Sequence, residues 1–314
     1  MLLKKIRLVV AATLCVMTTH AAAWWNPDWA YRKAITLDTT PAGSNMPTDL
    51  GETQVLLRLH TGNFKHFLDV AEGGADFRVV AADDKTPLAF HVEKFDAVNE
   101  LALIWVKVPM VKAAAPDPKS PDAPAAKLYL YFGNPAATRG DPPSATYGAS
   151  DALVYHFDGA GGAVEDRSPQ ALPVASSTAL AVSASLIGAG LRFDGAQSVT
   201  VADAPALAMR MEGGQFYLFL GGREAAALAV VAEPMSGTLT LGAAANGELG
   251  FKGEVDELRV YGAVPAPAAL AFAAATEGPD GKGITYLADE STDTEGAGER
   301  GEGHSSYFGI ILNQ

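Results

Sequence analysis

Three carboxylates, Glu254, Asp256 and Glu257, stand within four residues in the string GEVDELRVY. A strand alternates its side chains between two faces, so carboxylates two residues apart project together. Two carboxyl groups flanking a glycosidic bond are the machinery of most glycosidases. Read as one strand, 254–261 puts Glu254 and Asp256 on one face, gives Leu258 the next place on it, and turns Glu257 away. The second catalytic carboxylate is then missing. The stretch reads as a surface strand with Arg259 free to pair, and catalysis is not expected of it.

Asp158, Asp166, Asp194 and Asp203 offer oxygens of the kind calcium takes. Asp158 and Asp194 are the candidate calcium ligands among them, although each precedes a glycine and is equally a turn former. His60, His66, His91, His156 and His304 are scattered. No two of them have metal-ligand spacing, so a shared metal would require distant residues to converge. His91 and His156 fall inside strand patterns and read as packing or surface residues. No nucleophile elbow and no phosphate loop occurs.

The aromatic residues offer a different chemistry, that of a stacking platform for a sugar. Trp24, Trp25 and Trp29, three of the four tryptophans, fall in WWNPDWAYRK, and Tyr31 follows. Trp29 and Tyr31, two apart on an incoming strand, are expected to plug a core together with Trp105. Trp24 and Trp25 are less constrained and are the candidate ligand-binding pair.

These residues must be positioned by an all-β chain. Alternating or short apolar runs mark strands at 34–37, 54–59, 77–80, 88–92, 101–108 and 127–132. Residues 63–70 have a helical pattern. The Pro- and Ala-rich stretch 113–126 reads as a long hairpin loop between the two strong strands beside it. Further strands are expected at 153–157, 191–193, 198–201, 216–220, 237–241 and 254–261, with a short helix at 267–275. The expected layout is two β-sandwich-like domains, 24–148 and 149–277. An acidic, Gly-rich linker, 278–306, follows and reads as disordered, and an apolar end, 307–314, resembles the start of a membrane-proximal segment.

Residues 1–23 have the build of a cleaved signal peptide. Lys4, Lys5 and Arg7 precede an apolar run from Leu8 to Met17, and Ala21-Ala22-Ala23 suits a signal peptidase. Cleavage would remove Cys15, the only cysteine, which excludes disulfides and thiol chemistry from the exported chain. Losing the three basic residues moves the net charge from −13 to −16, which argues against nucleic acid and anionic membrane surfaces as partners.

The strings WNPDWAYRKAITLD, GADFRVVAADDKTPLAFHVEKFD, LALIWVKVP and LYLYFGNPAA resemble, in that order, an extracytoplasmic domain of unknown function. That domain stands at the N-terminus of TolQ/ExbB/MotA-type proton-channel proteins, and the resemblance covers residues 24–135. The strings LVYHFDG, GAGLRFDGAQSVTVAD and GEVDELRVYGAVPAPAAL resemble a laminin-G/concanavalin-A-like sandwich, shortened between Met209 and Gly214 where several strands are expected. The resemblance implies a non-enzymatic periplasmic binding module that meets an envelope protein or a glycan and associates with TolQ/ExbB-like subunits. The alternative expectation is a free carbohydrate-binding protein.

Overall fold

A computed structural model describes residues 24–114, 126–159, 162–207, 215–220, 223–229, 235–244, 246–262, 265–278 and 281–291. Among the described residues the fold is mostly antiparallel β-sheet with two short α-helices, as the alternating apolar pattern dictates. The expected signal peptide, the apolar end, most of the 113–126 stretch and the shortened region 209–214 lie outside those residues.

The first sandwich contains β1 (Tyr31–Leu37), β2 (Thr53–His60), β3 (Arg78–Ala81), β4 (Pro87–Leu88), β5 (Phe90–Asp96), β6 (Leu101–Val108) and β7 (Ala126–Phe132). The chain then passes through helix α1 (Pro143–Thr146) into β8 (Asp151–Tyr155), β9 (Val174–Ser177), β10 (Leu180–Val182), β11 (Gly190–Asp194) and β12 (Val199–Leu207). β13 (Gln215–Leu220), β14 (Arg223–Ala229), β15 (Met235–Leu241), β16 (Lys252–Val255) and β17 (Leu258–Tyr261) follow, then helix α2 (Pro267–Glu277) and β18 (Ile284–Ser291).

One sheet of the first sandwich has the order β18-β1-β7-β3-β4 and the other β2-β6-β5. Between them lie Ile35, Leu37, Val55, Leu57, Phe77, Ile104, Val106, Leu130 and Phe132. β6 is buried on both faces. Ile104 and Val106 enter the core between the sheets, while Leu103 and Trp105 face outward and meet Leu56 and Ile187. Ile187 belongs to the second half of the chain, so that half covers this outer face. Its own core contains Leu153, Tyr155, Phe157, Leu191, Phe193, Val199 and Val201.

Several expectations are corrected. Residues 63–70 are turns, not a helix; Phe64, Phe67 and Val70 instead enter the sandwich core. β6 and β7 lie in opposite sheets, so the two strands are not the arms of a hairpin. The chain also returns to the first sandwich at its end. Phe272 of α2 is buried in the first core, and β18 pairs with β1 from Leu37↔Ile284 to Tyr31↔Ser291. Residues 284–291 are therefore an edge strand and not linker, because Lys33 meets Asp289 at 2.7 Å and Arg32 meets Glu290 at 2.5 Å. The expected single strand at 254–261 is broken. β16 pairs with β11, β17 pairs with β8, and Glu257 between them has a φ of 50°.

Candidate functional site

The buried titratable residues gather between the outer face of the β2-β6-β5 sheet and the second half of the chain. On β5, Phe90 and Val92 enter the first core, so the intervening His91 faces outward by strand alternation. Glu93, two residues further on, shares that face, and the strand register shifts at it. Val92 is opposite Ile104 and Lys94 is opposite Leu103, so Glu93 is the extra residue of a β-bulge. Bulges re-aim side chains, and this one directs the Glu93 carboxyl group to the Trp105 indole, whose Nε1–H donates to Oε2 at 2.7 Å.

His156 follows β8. Leu153, Tyr155 and Phe157 fill the second core, which leaves His156 on the opposite side, facing the first sandwich. Its ring lies 5.4 Å from the Trp105 ring at an interplanar angle of 23°. Its Nδ1 lies 2.6 Å from Glu257 Oε1 and 3.8 Å from Glu93 Oε2. Its Nε2 lies 2.8 Å from Tyr147 Oη and 3.2 Å from His91 Nε2. Glu257 reaches the imidazole because its left-handed backbone breaks the alternation; such a φ is uncommon for a residue with a Cβ.

The side chains of Glu93 and His156 are 0 % exposed and that of Glu257 is 9 % exposed. Burial, joined by the nearby Arg259 charge, pushes His156 down to about 3, so its imidazole is neutral at physiological pH. The contact with Glu257 is thus a neutral N–H donor bonded to a carboxyl group. Its partners place the proton on Nδ1, and Nε2 accepts from the Tyr147 hydroxyl. Burial and the Glu257 charge hold Glu93 well above the usual carboxylate range. Burial likewise raises Glu257 to about 7, against the pull of Arg259.

Arg259 is the cation of the site. It donates to Glu257 Oε2 at 3.1 Å and to Glu277 Oε1 at 2.9 Å, and its guanidinium lies 4.4 Å from the Trp105 ring centre. Within this group, Glu93 Oε1, His91 Nδ1 and Arg259 Nε are buried without a hydrogen-bond partner among the described residues. The ligand atoms of Glu93, His156 and Glu257 all lie within 4.8 Å of one another, the compactness a metal ion needs.

The residues singled out from the sequence are dispersed. Glu254 pairs with Arg192 at 2.6 Å on the surface, and Asp256 accepts the Ile187 N–H at 2.6 Å. Asp158 is held by Arg167 at 2.8 Å, whereas Asp194 accepts the Ala196 N–H in its own turn. Trp24 and Trp25 are half-buried against Tyr131 and Trp29, on the outer face of the β1-containing sheet. Trp29 belongs to that cluster and Trp105 to the cluster on the opposite sheet, so the expected pairing of the two does not occur. Tyr31 stacks on Phe132 at 5.4 Å, at the edge of the first core. Sequence reading missed Glu93 altogether and set His91, His156 and Glu257 aside. The available signal was the unbroken apolar run Leu101–Val106, which implies a strand covered on both faces.

Residues 73–168 match the family model of a domain of unknown function, DUF2341. The matched segment contains His91, Glu93, Trp105, Tyr147 and His156, and it runs past the boundary expected near residue 148. No curated protein and no solved structure matches the chain. Among the described residues, no helix is long and apolar enough to cross a membrane.

Proposed function

We propose that this chain is a non-enzymatic, periplasmic binding module that docks on a protein of the cell envelope, next to a TolQ/ExbB-type ion-driven complex. The observation that carries the non-enzymatic reading is burial. Among the described residues, the constellation with acid–base potential is closed between the two halves of the molecule, with the Glu93 and His156 side chains 0 % exposed. A general acid or base must come within hydrogen-bond reach of its substrate, and these two do not meet solvent. The export-type start, Lys4 to Ala23, supports the location. Support for the complex comes from the likeness of residues 24–135 to the extracytoplasmic domains of channel proteins.

A protein partner suits the surface better than a glycan does. Leu68 and Val98 are each 91 % exposed. Leu68 lines a concavity of about 470 Å³ in which Phe67, Val70, Phe95 and Ala97, the neighbour of Val98, alternate with the charged Glu72, Lys94 and Asp96. Exposed apolar residues with a charged rim of this kind are what a protein interface buries. The test is direct binding of the purified full chain to a purified TolQ/ExbB-like subunit. Saturable binding that falls at least ~10-fold in Leu68→Asp/Val98→Asp supports the proposal. Saturable glycan binding lost on Trp24→Ala or Trp25→Ala, with no subunit binding, would replace it with a free carbohydrate-binding protein.

A further inference from the structure

We infer that Glu93, His156 and Glu257 form a structural zinc site that staples the two halves of the chain together. The three ligand atoms converge within 4.8 Å from β5, from the end of β8 and from the β16–β17 kink. One carboxylate belongs to the first sandwich; the imidazole and the second carboxylate belong to the other half. The donor set is one nitrogen and two carboxylates, which suits zinc. Calcium takes 6–8 oxygens and would leave the imidazole unused.

The surroundings of the three ligands support this more strongly than their proximity does. A metal-bound side chain is normally oriented by a hydrogen bond to its other end, and each ligand here has such a partner. The Trp105 Nε1–H donates to Glu93 at 2.7 Å, Arg259 donates to Glu257 Oε2 at 3.1 Å, and Tyr147 Oη lies 2.8 Å from His156 Nε2. Glu93 Oε1, buried and without a hydrogen-bond partner among the described residues, is left free to bind the ion, and the fourth position of a tetrahedral site goes to a water that enters with the metal. Space above Glu93 Oε1 is kept by Gly188, at a φ of 67°, where a Cβ would collide with that oxygen. Charge points the same way. With Glu93, Glu257 and Glu277 all ionised, the network has two more negative charges than Arg259 balances, and one divalent cation would offset them.

When zinc binds, the proton on His156 moves from Nδ1 to Nε2, which then donates to Tyr147 Oη. Any proton held by Glu93 or Glu257 leaves to solvent, and the Nδ1–Glu257 hydrogen bond opens by about 1 Å to admit bonds of ~2.0–2.2 Å. Because the site is sealed, the metal enters during folding.

The test uses the full chain, refolded after chelation with Zn²⁺ alone, and with Ca²⁺ or Mg²⁺ as controls. One equivalent of Zn²⁺ should survive gel filtration and raise the melting temperature, and the controls should do neither. Glu93→Gln keeps the size of the side chain and an oxygen that accepts the Trp105 N–H. It should leave the zinc-free melting temperature unchanged and weaken zinc binding beyond the ~10–100-fold that loss of an outer partner costs. Cobalt needs no variant: the refolded Co²⁺ protein should show the intense visible bands of a four-coordinate ion. Failure to retain zinc, equal retention by Glu93→Gln, or a Co²⁺ spectrum like that of the hydrated ion would each overturn the assignment.

Discussion

Each sheet of the first sandwich carries an arginine, tryptophans or a tryptophan, a tyrosine and carboxylates on its outer face, and the two groups are balanced differently. On the β1 side, the Arg32 guanidinium lies 4.6 Å from the Trp24 ring and 4.7 Å from the Tyr129 ring. It bonds to Asp84, to Glu290 at 2.8 Å and to Tyr131 Oη at 3.3 Å, and Tyr131 donates to Asp84 at 2.6 Å. None of these groups has an unpartnered buried atom among the described residues. On the β6 side, Arg259 faces two carboxylates with Glu93 close by, and Glu93 Oε1, His91 Nδ1 and Arg259 Nε are left without partners among the described residues. Residues close in sequence, 24–29, cover the first face, and the second half of the chain covers the other. A cover laid by adjacent residues can be completed locally. The other joins distant segments and leaves buried polar atoms without partners among the described residues, which marks it as the candidate site of the two.

Exchanging the two arginines for a residue of similar length breaks the comparison most sharply. Arg259→Met strands Glu257 and Glu277, whose side chains are only 9 % and 16 % exposed. The expected loss is about 3–5 kcal/mol, as for other broken buried pairs. Arg32→Met strands Asp84, 8 % exposed, while Glu290, 46 % exposed, turns to water. That loss should be smaller, about 1–3 kcal/mol. Urea unfolding of both variants decides the matter; equal losses would mean that the two faces are equivalent.

A pH titration sharpens the contrast at one residue. Burial raises Glu257 from 4.5 to about 7, so between those values the folded protein holds a proton that the unfolded chain has lost. The resulting stability is fully present below about 4.5 and is lost as pH rises through about 7. The groups facing Glu257 titrate too. Glu93 and Glu277 are raised and act in the same sense, whereas His156 is depressed to about 3 and acts in the opposite one. Comparison with Glu257→Gln cancels these neighbours to first order. The unfolding free energy of the wild type minus that of the variant should fall by on the order of 1–3 kcal/mol between pH 4.5 and 7.5, in metal-free buffer. A flat difference would place Glu257 in contact with water.

The strands and the all-β class were legible because side-chain alternation is a local property. β6 is the clearest example: Leu101–Val108 carries apolar residues on both faces, and both faces are buried. The site was not legible because two backbone irregularities build it. Strict alternation leaves Glu93 as one more outward residue, but the bulge aims it at Trp105. Strict alternation also turns Glu257 away from its neighbours, but its left-handed backbone turns it toward His156. The return of β18 to β1 was hidden by composition. Its acidic residues resemble a solvated linker until Arg32 and Lys33 are seen to receive them.

The smallest expected effect lies three residues from Glu257. Glu254 offers the better-formed ion pair by distance, 2.6 Å from Arg192. Yet the two side chains are 43 % and 58 % exposed, so water solvates both charges in the folded and the unfolded chain. Screening and the entropy of holding two long side chains together then cancel most of the attraction. Exposed pairs are worth about 0.2–1 kcal/mol. Glu254→Gln should therefore change the unfolding free energy by no more than that, and the change should shrink further in ~1 M salt. A loss above ~2 kcal/mol would require Glu254 to be covered in solution by a second molecule or by another part of the chain.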